Sequence, residues 1–231
     1  MNRDLEKKIN DFIVYEDTDD DDYDVRDIRE AREKFRLWFA VMGLTAVPIE
    51  ERIDLAVSFY MEFLTALSYA EILQKTGEYS RGAVKKAFKE AYKTAFSDYT
   101  GKSDGIDEFA NERAEKFASD VADSTKRYID SGSDEAFSES RAAFMAETES
   151  EILIANDEFA EAVASGYTHK MWNTVGDSRV RDSHARLAGK TIKIDDYFMT
   201  PLGNSLLYPG DTENCDDMAD IAGCRCWLTF S

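Results

Sequence analysis

The chain has 231 residues, 43% of them hydrophobic, and a formal charge of −19 from 28 Lys and Arg against 47 Asp and Glu. That length bounds it to one or two domains with enough apolar side chain for a real core. A surface this acidic repels phosphate backbones and anionic lipid heads, which excludes adhesion to nucleic acid or membrane by general charge alone.

Residues 1–24 read as an acidic N-terminal segment, in which Glu16 to Asp24, EDTDDDDYD, places seven acids in nine positions. Such a block repels itself and is expected to be solvated and partly mobile. It lacks the Gly and the ligand spacing of a calcium loop. The N-terminus also lacks the apolar core of a signal peptide. The most apolar region, Ile53 to Leu73, is interrupted by Asp54, Glu62 and Glu71, so no transmembrane helix is expected. These features predict a soluble chain, intracellular at synthesis.

Residues 25–166 carry helix-period patterns and a single Pro, Pro48. VRDIREAREKFRLWFAVMG has apolar residues at Ile28, Phe35, Trp38, Phe39 and Met42 and stops at Gly43. The next helix opens with Pro48 and two Glu that suit its N-terminal dipole, is apolar almost all round, and closes at Gly77. Val84, Phe88, Tyr92 and Phe96 then recur at i+4, an aromatic stripe that predicts core. Further helices are expected over Ile106 to Ile129 and from about Asp134 to near Ser165.

Residues 167–231 change in texture, holding both His, all three Cys, and 7 basic against 9 acidic residues, a net of −2. YTHKMWNTV predicts a strand. DSRVRDSHARLAG predicts a short helix capped by Asp177 and ended by Gly189, with Asp177–Arg181 and Asp182–Arg186 as i,i+4 pairs. KTIKI alternates, MTPLGNSLLYPGD reads as turn, extended piece and turn, and CRCWLTF puts Cys224, Cys226, Leu228 and Phe230 on one face. The fold class expected is a mainly α N-terminal region, as a bundle or extended helices, followed by a small α+β C-terminal module.

Three chemistries fit the C-terminal residues. His184 with Cys215, Cys224 and Cys226 is a one-His, three-Cys set of the type that zinc accepts, although Cys-x-Cys is an unusual spacing for it. The same residues read as plain core if His184 packs against Val180 and Leu187 and the Cys act as small hydrophobes. A Cys nucleophile with His184 as base is the third reading, and no nucleophile elbow or protease signature accompanies it. Three clustered Cys do not form a secreted disulfide framework. Arg179 and Arg225 could bind phosphate or carboxylate, but nearby Asp residues favour internal pairing.

The C-terminal run resembles the C-terminal domain of the phage Mu F-type minor head proteins. Its pattern falls on Lys170 and Trp172, on Asp177, Arg181 and His184, on Gly189, on Asp195, Asp196 and Phe198, on Pro209, Gly210 and Asp211, and on Cys224, Arg225 and Cys226. The likeness covers about residues 140–231. Glu147 stands where Arg is usual, Ala188 stands where Asp is often found, and Cys215 lies outside the pattern. The resemblance implies a structural minor capsid protein of head morphogenesis and viral assembly, not an enzyme. It implies a place inside the phage head near the portal, after assembly in the host cytoplasm, with a link to DNA packaging or ejection. Expected partners are the portal protein and capsid or scaffold proteins, with indirect contact with packaged DNA and no membrane during assembly. No cofactor is implied, zinc being the alternative read from the residues. The rival function is an effector-type enzyme using His184 with Cys224 or Cys226.

Overall fold

Apolar side chains at helical spacing need a partner surface, and the described residues supply it with five long helices before any strand. The computed structural model describes residues 28–41, 49–100, 108–215 and 217–231. The acidic segment 1–24, Met42, Gly43 and Pro48 lie outside the described residues. The helices are α1 (Ile28–Val41), α2 (Ile49–Thr76), α3 (Arg81–Thr100), α4 (Glu108–Ser131) and α5 (Glu139–Ala164), with a 3-10 turn at Asp134–Phe137. After them come β1 (His169–Thr174), α6 (Asp182–Ala185), β2 (Thr191–Lys193), β3 (Phe198–Met199), β4 (Ser205–Leu206), α7 (Met218–Ile221) and β5 (Cys226–Phe230). A mainly α region followed by a small α+β module is thus the observed class. No helix of the described residues is long and apolar enough to cross a membrane.

By packing, the chain divides into two units, Met1–Ile53 with Glu151–Ser231, and Asp54–Ser150. The division falls inside α2 and α5, not at the change of texture near residue 167. Composition reports where Pro, Gly and Cys begin; packing reports which residues touch.

In the unit Asp54–Ser150 the aromatic stripe is core: Val84, Phe88 and Tyr92 are fully buried and Phe96 nearly so. Phe63 stacks on Phe117 at 4.6 Å, and Tyr92 meets Phe59 at 4.7 Å, geometries that add to plain area burial. Ser80 accepts from the Ala83 backbone N–H at 3.2 Å to start α3, and Ser138 does the same for Arg141 at the start of α5. Arg113 on α4 reaches Glu149 on α5 through two hydrogen bonds, 2.7 and 2.5 Å, with both side chains out of solvent.

In the other unit α1 turns Phe35, Trp38 and Phe39 inward and leaves Ile28 exposed. Arg52 pairs with Glu151 at 3.0 Å and Glu158 at 3.2 Å. Burial, reinforced by Glu158, pushes Glu151 up to about 7 against the pull of Arg52. The turn after α5 carries bonds from Gly166 to Val163 and from Tyr167 to Ala162, with Gly166 at φ +79. That left-handed residue ends the helix and sends the chain straight into β1. The sheet runs β2-β1-β5, antiparallel throughout, with Trp172 opposite Leu228 and Thr174 opposite Cys226. β3 and β4 form a separate hairpin.

Candidate functional site

Alternation along β1 turns Lys170 and Trp172 to the same side, and both are fully buried. Trp172 meets the Phe198 ring edge-on at 5.0 Å and the His184 ring at 5.3 Å. Lys170 Nζ sits over Phe159 at 4.8 Å and Phe198 at 5.6 Å, with no hydrogen-bond acceptor in reach among the described residues. Burial pulls its pKa down to about 8, although Asp211, Asp195 and Asp196 favour the cation.

The segment predicted as a capped helix from Asp177 to Gly189 is mostly turn. Only Asp182–Ala185 is α-helical, and its N-cap is Arg181, without a side-chain bond. Asp177 instead accepts from the Arg179 backbone N–H at 3.1 Å and from Arg225 at 2.5 Å. Arg181 donates to the Ala222 carbonyl. The Trp38 ring lies against Arg225 at 5.0 Å and Arg179 at 5.7 Å. Internal contacts therefore engage all three guanidinium groups: Arg225 pairs with Asp177 as the nearby acids suggest, whereas the Arg179 guanidinium lies against the Trp38 ring. Gly189 does close the segment at φ +76, its N–H donating to the Trp172 carbonyl at 2.8 Å.

Pro209, Gly210 and Asp211 form a buried turn. Gly210 holds φ +82, and a Cβ there would stand 3.3 Å from Ile152 Cγ1, so both backbone and space call for glycine. Asp211 is wholly buried and accepts from the backbone N–H groups of Leu207, Glu213 and Asn214, which fixes the loop ahead of Cys215.

His184, Cys224 and Cys226 converge. Cys224 Sγ lies 3.3 Å and Cys226 Sγ 3.5 Å from His184 Nδ1. The three ligand atoms all fall within 4.8 Å of one another, and all three residues are buried. Cys215 is buried and free but is not in this group. His184 Nε2 lies 3.2 Å from Asp220 Oδ1, off the axis of a good hydrogen bond. Asp220 is wholly buried and accepts from Ser183 at 3.0 Å, Thr200 at 2.7 Å and Asn204 at 3.0 Å. Burial would raise its pKa, but these donors and His184 hold it below the ordinary carboxylate range. Burial lowers the His184 pKa, and Cys224 and Asp220 outweigh that and hold it up. The adjoining Cys226 and burial keep the Cys224 thiol well above its usual value, despite His184.

The sequence shows no special signal for Asp220, Asn204, Trp38 or Phe159. Asp220 is one acid among 47, Trp38 reads only as one apolar position on a helix, and Phe159 lies unremarked within the last expected helix. What the arrangement offers chemically is a dry pair of thiols and an imidazole, backed by an anchored carboxylate.

A protein-family model described as Phage Mu protein F like protein matches residues 103–229. No curated protein and no solved structure matches the chain.

Proposed function

The chain belongs to the phage Mu protein F like family, whose members are phage head morphogenesis proteins, and from that premise we propose that it is a minor capsid protein, structural and not enzymatic. It acts at the portal during head assembly, contacts portal and capsid or scaffold proteins, and remains inside the head of the finished virion. Its link to DNA is through packaging or ejection and is indirect. The observation that carries this reading is the family match over residues 103–229, which takes in the whole set of motif residues from Lys170 to Cys226.

The site geometry supports a structural role. A nucleophile must meet its substrate, yet His184, Cys224 and Cys226 are at most 5% exposed. An activated thiol needs a depressed pKa, and that of Cys224 is raised. Arg225, a candidate for binding anions, already holds Asp177. The charge of −19 suits a protein that works beside packaged DNA without adhering to it.

The test is co-expression with the portal protein encoded in the same phage genome, with an affinity tag on this chain only. Stoichiometric co-elution of the portal protein, and this chain found by mass spectrometry in purified heads, is the expected result. Portal protein in the flow-through, with normal heads forming in a deletion of this gene, would refute the reading.

A further inference from the structure

A role in head assembly leaves the buried group of His184, Cys224 and Cys226 without a use. We propose that these three side chains hold one zinc ion, with His184 Nδ1 and the two thiolates as its protein ligands and Asp220 as the carboxylate behind the imidazole.

Distance is the first argument. A zinc ion about 2.0–2.1 Å from nitrogen and about 2.3 Å from sulfur sets tetrahedral N···S edges of about 3.6 Å. The two N···S separations here are 3.3 and 3.5 Å, already close to those edges. The Cys-x-Cys spacing, awkward for a metal on paper, is met because Gly223 at φ +60 bends the chain just before the pair and Cys226 opens β5.

Ligand chemistry comes second. Thiolate and imidazole select borderline-soft ions and reject magnesium and calcium, which require oxygen. Two thiolates and a neutral imidazole around a divalent ion make an uncharged centre, which is the form that tolerates a dry interior. Metal ligation by Nδ1 leaves Nε2 to face a carboxylate, the usual outer arrangement at zinc sites. Asp220 stands there, fixed by Ser183, Thr200 and Asn204, at the atom where that partner is needed.

The effect of the ion follows from what its ligands belong to. His184 comes from α6, Cys226 from the first position of β5 with Cys224 two residues before it, and Asp220 from α7. Through Thr200 and Asn204 the carboxylate also grips the turn of the β3–β4 hairpin. One ion thus ties the C-terminal strand directly to α6 and, through the Asp220 carboxylate, to α7 and the β3–β4 hairpin, a staple between short elements. Among the described residues no fourth His, Cys, Asp or Glu joins the group.

The experiment uses the full chain. Purified without added metal or chelator, it is expected to carry one zinc per chain by elemental analysis. Chelation should remove the zinc and lower the melting temperature, and zinc should restore it. Cys215→Ser should keep the metal, while Cys224→Ser and Cys226→Ser should lose it. Because those two variants also remove buried side chains, cobalt(II) is titrated into the chelated wild-type chain as well. Tetrahedral cobalt bands with a thiolate charge-transfer band, saturating at one equivalent and releasing the two thiol protons, are expected. Asp220→Asn should keep that band and weaken zinc affinity by roughly 10- to 100-fold. Absence of both zinc and the cobalt spectrum, an octahedral cobalt spectrum, loss of metal in Cys215→Ser, or uptake of copper(I) with refusal of zinc would each overturn the proposal.

Discussion

Lys170 is a wholly buried ammonium with two aromatic faces and, among the described residues, no acceptor. Aromatic faces offset part of the lost hydration, but a methionine of like shape would carry no charge to desolvate. Lys170→Met is therefore expected to leave stability at pH 7 unchanged or raise it by about 1–3 kcal/mol, read from the denaturant midpoint. The sign with pH follows from the folded pKa of about 8 against an ordinary 10.5. The unfolded chain binds the proton more tightly, so wild-type stability climbs as pH rises between those values, and the Met variant lacks that climb. A clear loss of stability in the variant at pH 7 would mean that an unseen group holds the ammonium. If the variant is stable yet head assembly fails, Lys170 is kept for a partner and not for the fold. At this scale the sequence was legible where chemistry is rare. His184 and the Cys pair stand out because the chain has only 2 His and 3 Cys. Asp220 could not be singled out, because its role comes from four neighbours brought together by the fold, and no spacing encodes it.

Between elements, two buried ion pairs behave differently. Arg113 and Glu149 join α4 to α5 by two parallel hydrogen bonds in a dry setting. Removing one partner strands the other charge, so Arg113→Met is expected to cost about 3–5 kcal/mol, and adding Glu149→Leu should recover most of it. An additive double variant would show that the two residues do not act as a pair. Arg52, by contrast, serves two carboxylates, and Glu151 is left with a pKa of about 7 against an ordinary 4.5. The folded state then holds the proton more tightly than the unfolded chain. Stability from this group is present in acid and is lost as pH rises from about 4.5 to about 7, on the order of 3 kcal/mol. Chemical denaturation of wild type and Glu151→Gln at pH 5 and pH 8 isolates it: the wild type should lose more between the two than the variant. Equal losses would place the titration elsewhere. The helices that carry these pairs, α2, α4 and α5, were all expected from the sequence. The pairs were not, since 47 acids offer too many partners for each Arg. Asp177 to Gly189 failed as a helix because turn and tertiary bonds win over local pairing: Asp177 closes its own turn and binds Arg225, and Arg181 reaches Ala222.

At the scale of the whole molecule, the unit that holds the sheet also holds α1 and the later part of α5. Its core crosses the change in texture near residue 167: Trp38 from α1 receives Arg179 and Arg225, and Phe159 from α5 meets Tyr208 at 5.2 Å and Lys170 at 4.8 Å. Charge and composition cannot reveal such a core, because they vary along the chain while contacts join its distant parts. The consequence is a specific failure on truncation. A chain ending at residue 166 would keep Trp38, Phe35 and Phe159 but lose the guanidinium, aromatic and strand surfaces that cover Trp38 and Phe159. Burial of large aromatics is worth about 2–3 kcal/mol each, so this unit should lose its cooperative fold. The unit Asp54–Ser150 has its own aromatic core and its own Arg113–Glu149 pair, and neither depends on residues beyond 166. Hydrogen exchange on the truncated chain is therefore expected to show lost protection over Ile28–Val41 and Glu151–Ala164, with protection kept through α3 and α4. Uniform retention would mean that α1 and α5 hold together without the sheet, and uniform loss would mean that the helical unit borrows its stability from the C-terminal module.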